Sequence, residues 1–452
     1  MRLRTRLCTI LFLALAMSGL FVCSMKGTVN PTEEIEEVVN IVDEKETIYF
    51  WFSDDTMADY INSAAVVFGE KYGVRVIPKL VSGSEYLEAI NYATLHEETM
   101  PDAYLLTNDS LEKAYLAGLA TEIIDQNNVM TEDNFSQAAR DAVTYKGKNI
   151  AYPVSYETTV LLYNETFLQE WALQQVKAKA EEDGLNYDEA TYLQKRDEMM
   201  LSAVPKTIPH LLTVSDTFDA PETVEAIFRW DVSDILYNYH FVGNYLIVGG
   251  DCGDDKDNIV INNEQVVACL EIYKALNQFF YIESDLVSYE SVIQDFLDGK
   301  LVFTIATTDI VKTLEQAVAD GTFAYEYGVA VMPDPGDELK GRSLSVTTAV
   351  AVNGYSEHQE LANKFAAFLA TEYAGELYTR AGKAAANKNI ISNDMMYVFQ
   401  QEYADSIPLN KMIDTSNFWL QLEILFSKVW NGEDERALLE ALEQQIESQI
   451  MR

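Results

Sequence analysis

The segment YPVSYETTVLLYN, residues Tyr152 to Asn164, decides the fold of this chain. It is rich in β-branched and aromatic residues, which favour strands. A proline stands near its start, and a charged residue, Glu157, stands in its middle. Proline fixes φ and removes a backbone donor, so it limits how an extended segment can bend. A charged side chain inside a largely apolar, strand-like run is unfavourable unless it has polar partners or contact with solvent, so the position of Glu157 calls for an explanation.

Strands and helices alternate on the N-terminal side of this segment. We predict strands at 47–52, 74–80 and 101–107, with helices at 57–72 and 84–95 between them. This alternation predicts an α/β fold with a largely parallel sheet and helices on both faces. Further along the chain, the predicted helices cover 165–203, 221–238, 263–281 and 416–452, and the predicted strands cover 301–306 and 327–335.

Composition excludes several classes of function. The 452 residues carry 72 acidic and 32 basic side chains, a formal net charge of -40, which repels phosphate backbones and argues against nucleic-acid binding. The 4 histidines form no HExxH motif or ligand pair, which argues against a zinc enzyme. The segment GGDCGDDKDN, 249–258, has carboxylates but misses the spacing of an EF-hand, so we interpret it as a solvated loop. We expect neither a metal nor a cofactor.

The N-terminus has the pattern of a secretory signal peptide. Three arginines precede an apolar run, Leu7 to Val22, that is short for a membrane-spanning helix. The run ends at Cys23, which predicts a lipoprotein acylated on that sulfur; Leu20 fits such a site and Val22 does not. An uncleaved anchor and cleavage elsewhere remain alternatives. Residues 24–46 are acidic and without aromatics, and we interpret them as a tether.

The order of seven motifs resembles a known family. The motifs are TIYFWFSDD at 47–55, FGEKYGVRVIPKL at 68–80, PDAYLLTNDSLEKAYLAGLATEI at 101–123, YKGKNIAYPVSYETTVLLYNETFL at 145–168, FLDGKLVFTIA at 296–306, YGVAVMPDPG at 327–336 and SNFWLQLEILFSKVWNGE at 416–433. Each is weak alone, but together and in this order they resemble the extracellular solute-binding proteins of ABC importers. The resemblance is to the group that binds sugars and maltodextrins, and it covers almost the whole mature chain.

The resemblance implies a periplasmic-binding-protein-like α/β fold, with two lobes, a hinge and a ligand cleft between the lobes. It places one lobe at 47–152 plus 336–383 and the other at 153–335 plus 384–452, with crossings near 151–155, near 332–335 and after the helix 359–372. The implied ligand is a small molecule, a mono- or oligosaccharide. The implied partners are the permease subunits of an ABC importer and the membrane, through the lipid anchor of an extracytoplasmic bacterial protein.

Five polar residues near strand ends are candidate ligand contacts. Glu157 follows the first crossing, where the family places a ligand-contacting acid, and a carboxylate suits neighbouring sugar hydroxyls. The alternative is an edge-strand glutamate in solvent. Asp54 and Asp55 follow the first strand, and Asn108 and Asp109 follow the third. For both pairs the alternative is a helix N-cap.

Three further candidates lie near aromatic positions of the family. Trp419 matches a site where a ring stacks on sugar, and Trp230 with its neighbour Asp231 has the same interpretation. The alternative for both tryptophans is a place in the core. At two positions where maltodextrin binders of the family carry aromatic residues that stack on sugar rings, this chain has Leu106 and the loop 307–309. A long stacking surface is therefore not expected, and we expect a short, a more hydroxylated or a cationic ligand rather than a long maltodextrin.

Two other functions stay open on the sequence. A glycosidase could use Asp54 or Glu157 as general acid and base. A binder of polyamines or peptides would share the fold but not the ligand. The helical segment around 168–204 is longer than the family carries, and its role cannot be derived, nor can the pairing of Cys252 with Cys269.

Overall fold

The structure is a computed structural model and describes residues 45–83, 85–415 and 417–450. The predicted signal peptide, Cys23 and nearly all of the acidic tether lie outside the described residues. The strands are β1 Thr47–Phe52, β2 Arg75–Leu80, β3 Ala103–Thr107, β4 Thr144–Tyr145, β5 Lys148–Asn149, β6 Tyr152–Glu157, β7 Thr159–Asn164, β8 Ala226–Phe228, β9 Ile247–Gly249, β10 Asp255–Val260, β11 Leu301–Thr307, β12 Tyr327–Ala330, β13 Leu344–Val352, β14 Ala384–Ala385 and β15 Ile407–Pro408.

The helices carry labels in the same chain order. They are α1 Ala58–Tyr72, α2 Tyr86–His96, α3 Leu111–Leu116, α4 Gln137–Val143, α5 Glu165–Glu182, α6 Glu189–Ala203, α7 Ile208–Thr217, α8 Ile235–Asn238, α9 Glu264–Phe280, α10 Tyr289–Leu297, α11 Ile310–Ala319, α12 Gln359–Ala370, α13 Leu377–Ala381, α14 Asp394–Ala404, α15 Phe418–Trp430 and α16 Glu435–Ile450. Short 3-10 turns lie at Asp55–Met57, Asn108–Ser110, Tyr239–Phe241, Ser284–Leu286, Ala374–Glu376 and Ile413–Thr415.

The first lobe is built on a seven-stranded sheet in the order β14-β6-β13-β3-β1-β2, with β15 paired to β13. Strands β1, β2 and β3 are parallel, as the alternating pattern predicts, and they are linked through α1 and α2. Helix α1 buries Tyr60, Ala64 and Phe68 and ends at Gly73, whose positive φ of 73° permits the left-handed turn into β2. The predicted fold class is therefore confirmed in this half.

The second lobe is built on a four-stranded sheet in the order β12-β7-β11-β8. Only β11 and β8 are parallel; β7 is antiparallel to both β11 and β12. In the first sheet, β13 is likewise antiparallel to β3 and β6. The expectation of a largely parallel sheet is wrong outside β1–β3, because strands that return from the other lobe enter their sheet in the reverse direction.

The chain passes from the first sheet to the second at one residue, Thr158. Strand β6 pairs with β13 from Tyr152 through Glu157, and β7 begins at Thr159. The passage thus lies slightly beyond the crossing expected at 151–155. The second passage runs from the end of β12 to the start of β13. The lobe boundaries drawn from the sequence stay a prediction.

Two segments outside the sheets have clear structures. The long insertion forms the helical hairpin α5–α6, as its pattern predicts. The acidic segment GGDCGDDKDN is the end of the β9–β10 hairpin rather than a wholly solvated loop. Asp254 in it is buried, and its carboxylate accepts a hydrogen bond from the Lys146 backbone N–H at 2.5 Å. The composition of the segment predicts exposure to solvent, because composition carries no information about the contact between Asp254 and Lys146.

Candidate functional site

A cavity of about 560 Å³ lies beside the carboxyl ends of β1 and β3. Ser53 and Asp54 directly follow β1, Thr107 ends β3, and Glu157 ends β6. Ligands of open α/β sheets bind at this end of the strands, because there the loops diverge and expose backbone and side-chain polar groups. The remaining lining residues are Met57, Tyr86, Leu87, Glu88, Leu105, Leu106, Ser110, Lys113, Ser155, Tyr156, Val346, Thr348 and Lys383.

Asp54 takes its predicted capping role and also lies at the cavity wall. It caps the turn Asp55–Met57 by accepting hydrogen bonds from the backbone N–H of Thr56 at 2.9 Å and from the Thr56 hydroxyl at 2.6 Å. Its other oxygen lies 3.2 Å from the Lys383 ammonium. Burial raises the pKa of Asp54, but the Thr56 hydrogen bonds and the charge of Lys383 outweigh it and lower the pKa below its usual value. The carboxyl is thus held ionised at the cavity wall.

Lys383 is brought to this wall by a glycine turn. Helix α13 ends at Gly382, whose φ of 69° lets the backbone reverse without strain from a side chain. The next residues form β14, where Ala384 pairs with Tyr156 of β6. Lys383 therefore lies next to the end of β6 and across from Asp54. An ammonium and a carboxylate in contact supply donors and acceptors side by side.

Glu157 connects the two sheets. Its Oε1 accepts a hydrogen bond from the backbone N–H of Thr308 at 2.7 Å and from the Thr308 hydroxyl at 2.5 Å. Thr308 directly follows β11 of the second sheet. Burial raises the pKa of Glu157; nearby Asp309 raises it further, while Thr308 and Lys383 act in the opposite direction. The glutamate inside the apolar run is therefore a polar bridge at the crossing, and it also lines the cavity.

A second cavity of about 490 Å³ adjoins the first through Lys383. Thr56 and Gly382 of the first lobe line it on one side, and Asp309 and Lys312 of the second lobe line it on the other. The carboxylate of Asp309 accepts hydrogen bonds from the Tyr289 hydroxyl at 3.0 Å and the Thr307 hydroxyl at 2.5 Å. Together the two cavities form a cleft with polar groups from both lobes.

The other polar candidates near strand ends lie away from the cavity wall. Asp55 is exposed beside Asp54. Asn108 is fully buried: its amide donates to the Leu409 carbonyl at 2.7 Å, and its oxygen accepts from the Thr347 backbone N–H at 2.9 Å. Asp109 is exposed and accepts from the Thr107 hydroxyl at 2.5 Å. Asn108 thus holds three segments together in this conformation.

The pair Trp230 and Asp231 lies in the core of the second lobe. Trp230 has no exposed surface, stacks on Phe228 with ring centroids 4.6 Å apart, and donates its indole N–H to Asn238 at 2.9 Å. Asp231 accepts from the backbone N–H groups of Ser233 at 2.9 Å and Tyr289 at 3.0 Å. The structure therefore places both residues behind the cleft rather than on its surface.

Trp419 also lies apart from the main cavity. It is half-buried against Tyr239, with ring centroids 5.5 Å apart, and lines a separate space of about 50 Å³. Its indole N–H is buried and has no partner within the part of the chain that the structure describes. Of the predicted site residues, the main cavity therefore brings together Asp54 and Glu157.

Sequence reasoning missed several residues of the cleft. Lys383 stands in no recognisable motif; its only signal is a basic residue after a glycine in a strongly acidic chain. Thr308 lies in the loop 307–309, which differs from the family pattern, but nothing in the sequence indicates that it is the partner of Glu157. Tyr86 and Lys113 lie on helices whose cavity-facing sides cannot be identified before the helices are docked.

In residues 45–83, 85–415 and 417–450, no three His, Cys, Asp or Glu side chains come together as metal ligands. Cys252 and Cys269 are both free, and Cys269 is buried. No helix in those ranges is long and apolar enough to span a bilayer.

Comparison with known proteins identifies the family. A family model described as bacterial extracellular solute-binding protein matches residues 63–396. No curated protein matches the chain at a significant level.

Several solved structures share the fold of this chain. An extracellular solute-binding protein from Staphylococcus aureus in complex with maltose is 18% identical, with a TM-score of 0.72, over 90% of this chain and 99% of that chain. A cyclo/maltodextrin-binding protein complexed with maltotetraose is 17% identical, with a TM-score of 0.71, over 90% and 97%. The maltose-binding periplasmic protein from Listeria monocytogenes in complex with maltose is 19% identical, with a TM-score of 0.68, over 90% and 98%. At such low identity these structures establish the fold alone, but the family model covers well over half of the chain, and the protein therefore belongs to the bacterial extracellular solute-binding proteins.

Proposed function

We propose that this protein is the receptor of an ABC importer, and that it binds a small carbohydrate in the cleft and delivers it to the permease. The observation that carries the proposal is the ion pair of Asp54 and Lys383 at the wall of a 560 Å³ cavity that Glu157 also lines. A cavity of this volume is in the range of small-molecule sites.

The cavity wall suits vicinal hydroxyl groups. Each sugar hydroxyl donates one hydrogen bond and accepts others, so neighbouring hydroxyls pair well with a carboxylate next to an ammonium. Asp54 and Glu157 supply acceptors, Lys383 supplies donors, and Thr107, Ser110 and Thr348 supply hydroxyls. The similar structures are complexes with maltose and maltotetraose, which supports a sugar here too.

Binding works by differential affinity for two conformations. A ligand that contacts Asp54 of the first lobe and Asp309 of the second favours the state in which the lobes are close together. Both hydrogen bonds from Thr308 end on Oε1 of Glu157, so Oε2 is the oxygen a ligand would engage. The importer would then recognise the closed form, and no covalent step is involved.

The location follows from the N-terminal sequence. A signal peptide directs export, and acylation of Cys23 with the residues 24–46 as tether holds the receptor at the outer face of the membrane. Replacing Cys23 by alanine should release the protein into the medium. Release of the wild type, with a first residue after Cys23, would contradict the anchor.

A thermal-shift screen tests the ligand class. A ligand that binds the folded state raises the melting temperature by mass action. The panel should contain glucose, maltose, maltotetraose, xylose, xylobiose and the polyamine spermidine. We expect a shift with at least one sugar, and its loss in Asp54→Asn. A shift with spermidine alone would replace the carbohydrate by a cationic ligand.

One observation favours an enzyme as the second candidate. The pKa of Glu157 is raised and that of Asp54 is lowered, which is the division between general acid and base found in glycosidases. Incubation with maltotetraose and product analysis separates the two functions. A pure receptor returns the sugar intact, whereas any turnover that Glu157→Gln abolishes would establish the enzyme.

A further inference from the structure

Two stacked tyrosines of the second lobe follow Asp309 at the cleft. The Tyr289 hydroxyl donates to the Asp309 carboxylate at 3.0 Å, and the Tyr289 ring stacks on Tyr237, with centroids 5.1 Å and planes 18° apart. Asp231, in the core behind them, accepts the backbone N–H of Tyr289 at 3.0 Å. The rings are therefore held in place next to the interlobe cavity that Asp309 lines.

Two further carboxylates belong to the elements that carry these rings. Asp234 directly precedes α8, the helix of Tyr237, and accepts the Leu236 backbone N–H at 2.8 Å. Glu423 lies on α15, which packs on α8. Burial raises the pKa of Asp234, and the charge of Asp231 adds to the rise against the Leu236 hydrogen bond. Burial also raises the pKa of Glu423, and the charges of Asp234 and Asp231 raise it further.

These carboxylates lack the counter-charge that the first lobe provides. There, the ammonium of Lys383 lies 3.2 Å from Asp54. The charged groups that act on Asp234 and Glu423 within the described residues are other carboxylates. Like charges in a partly buried place cost free energy while they are ionised, and a cation placed among them removes that cost. This part of the second lobe therefore favours a ligand with a positive charge.

The hydroxyl of Tyr237 is available between these groups. The residue is only 5% exposed, and its hydroxyl has no hydrogen-bond partner in the described part of the chain. Burial raises the pKa of Tyr237, and so do Tyr289 and three carboxylates, those of Asp234, Asp231 and Asp309. The hydroxyl thus lies within reach of the charges at the cleft and of those beside α8. A tyrosine oxygen accepts hydrogen bonds from an ammonium, and a tyrosine ring face attracts a cation.

We propose that the ligand is an amino sugar whose protonated amino group binds at Tyr237, Asp234 and Asp309. An ammonium has three donors, and these residues offer one acceptor group each. Glu423 adds negative charge from α15 without contacting the ligand. This inference rests on the proposed function and adds the chemical class of the sugar to it. The sugar hydroxyls face the first-lobe wall described above.

The test is titration calorimetry with matched sugars: glucosamine, N-acetylglucosamine and glucose, and the three corresponding galactose compounds. Acetylation keeps the ring and the nitrogen but removes the charge. We expect an amino sugar to bind about ten- to a hundredfold more tightly than its neutral counterparts, the range for hydrogen bonds to a charged group.

Asp234→Asn removes the charge and keeps the cap, because asparagine also caps helices. Its affinity for the amino sugar should fall about tenfold, and its affinity for the neutral sugars should not change. The melting temperature of the free protein should rise, because a carboxylate without a counter-charge is gone; the loss of a purely structural carboxylate would lower it. Tyr237→Phe should weaken the amino sugar alone, by about three- to tenfold.

Asp216→Asn is the control, since it changes an exposed aspartate on α7. It should alter neither affinity. If the neutral sugars bind as tightly as the amino sugar, or if Asp234→Asn and Tyr237→Phe both keep the full preference, the amino-sugar inference is wrong and the proposed function stands. If spermidine binds and no sugar does, or if nothing binds, the proposed function fails and this inference fails with it.

Discussion

Two half-buried glutamates near the lobe connections each accept one hydrogen bond from a backbone N–H and one from a hydroxyl. Glu157, in the cleft, accepts from one backbone N–H and one hydroxyl, both of Thr308. Glu402, on α14, accepts from the Met332 backbone N–H at 3.0 Å and from the Ser343 hydroxyl at 2.5 Å, at the two ends of the second passage between the lobes. It lines another cavity of about 560 Å³, with Tyr163 and Arg342 among its neighbours. Each glutamate therefore ties together segments that belong to different lobes.

The two glutamates differ in the charges that face them. Burial, together with the carboxylates of Asp405 and Asp334, raises the pKa of Glu402 to about 7 against the hydrogen bonds from Ser343 and Met332. Burial also raises the pKa of Glu157, and the carboxylate of Asp309 adds to the rise, but the hydrogen bonds from Thr308 and the ammonium of Lys383 oppose it. The comparison shows that local hydrogen bonds alone do not set the charge of a buried acid. A cation beside a carboxyl favours its charged form, and Glu157 has one in Lys383, whereas the charged groups that act on Glu402 are the carboxylates of Asp405 and Asp334.

The largest expected effect is a pH-dependent stability that comes from Glu402. Its folded pKa of about 7 lies above the ordinary value of 4.5, so the folded state binds the proton more tightly than the unfolded state. The protonated Glu402 therefore contributes about 3 kcal/mol at most to the free energy of unfolding. This contribution is fully present below pH 4.5 and is lost as the pH rises through 7. In urea unfolding between pH 4.5 and 8, the free energy of unfolding of Glu402→Gln should increase relative to that of the wild type as the pH rises.

The exposed Glu98→Gln is the control for this measurement. It should follow the wild type at every pH. A Glu402→Gln variant that parallels the wild type across the range would show that Glu402 does not titrate there. The contrast between the two glutamates would then be lost.

The next effect is on ligand affinity and belongs to Glu157. Glu157→Ala should weaken the sugar found in the thermal screen by about 1.5–3 kcal/mol, the value of a hydrogen bond to a charged group. This corresponds to roughly ten- to a hundredfold in Kd by titration calorimetry. The substitution also leaves Thr308 without its partner, so some loss of free-protein stability is expected.

Thr308→Val separates these two consequences. It removes the hydroxyl bond between the lobes but keeps the carboxylate for the ligand, so it should lower stability more than affinity. Glu402→Gln should leave affinity within about twofold, because its cavity does not share lining residues with the cleft. If Glu157→Ala changes only stability, Glu157 is a structural bridge and not a ligand contact.

A smaller effect is expected for Lys383→Met. It removes the cation beside Asp54 and Glu157, and with it donors worth about 1 kcal/mol, or roughly fivefold in Kd. The pKa of Glu157 should rise, because the positive charge of Lys383 is gone. Glu157 then resembles Glu402 in having no cation that acts on its pKa. Affinity of this variant should therefore fall more on acidification than that of the wild type. An unchanged pH profile would contradict the role of Lys383.

The smallest effect is expected for Trp419→Phe. The indole lines a separate 50 Å³ space, and the larger cavity beside Asp54 does not include it. Kd for the same sugar should therefore stay within about twofold. A loss of tenfold or more would mean that the ligand reaches this side of the molecule, and that the cleft is longer than the two cavities described.

Local pattern predicted the elements well and the site only in part. Periodicity and glycine positions identified α1 with its end at Gly73, and strand content identified the extended run that the structure divides into β6 and β7 at Thr158. The cavity wall at Asp54 followed from its place after β1. The position of Trp230 could not be predicted, because an aromatic residue next to an acidic one has the same local sequence pattern in the core and on a ligand-binding surface.

The sequence by itself determined the α/β class, the family and the strand ends near which polar side chains gather, because these depend on short-range patterns and their order. Only the tertiary structure decided which of those side chains meet. Thr308 is 151 residues from Glu157, and Lys383 reaches Asp54 only after β14 has paired with β6. Such contacts join distant segments, and both the ionisation of a carboxyl and its access to a ligand depend on the charges and surfaces that folding places around it.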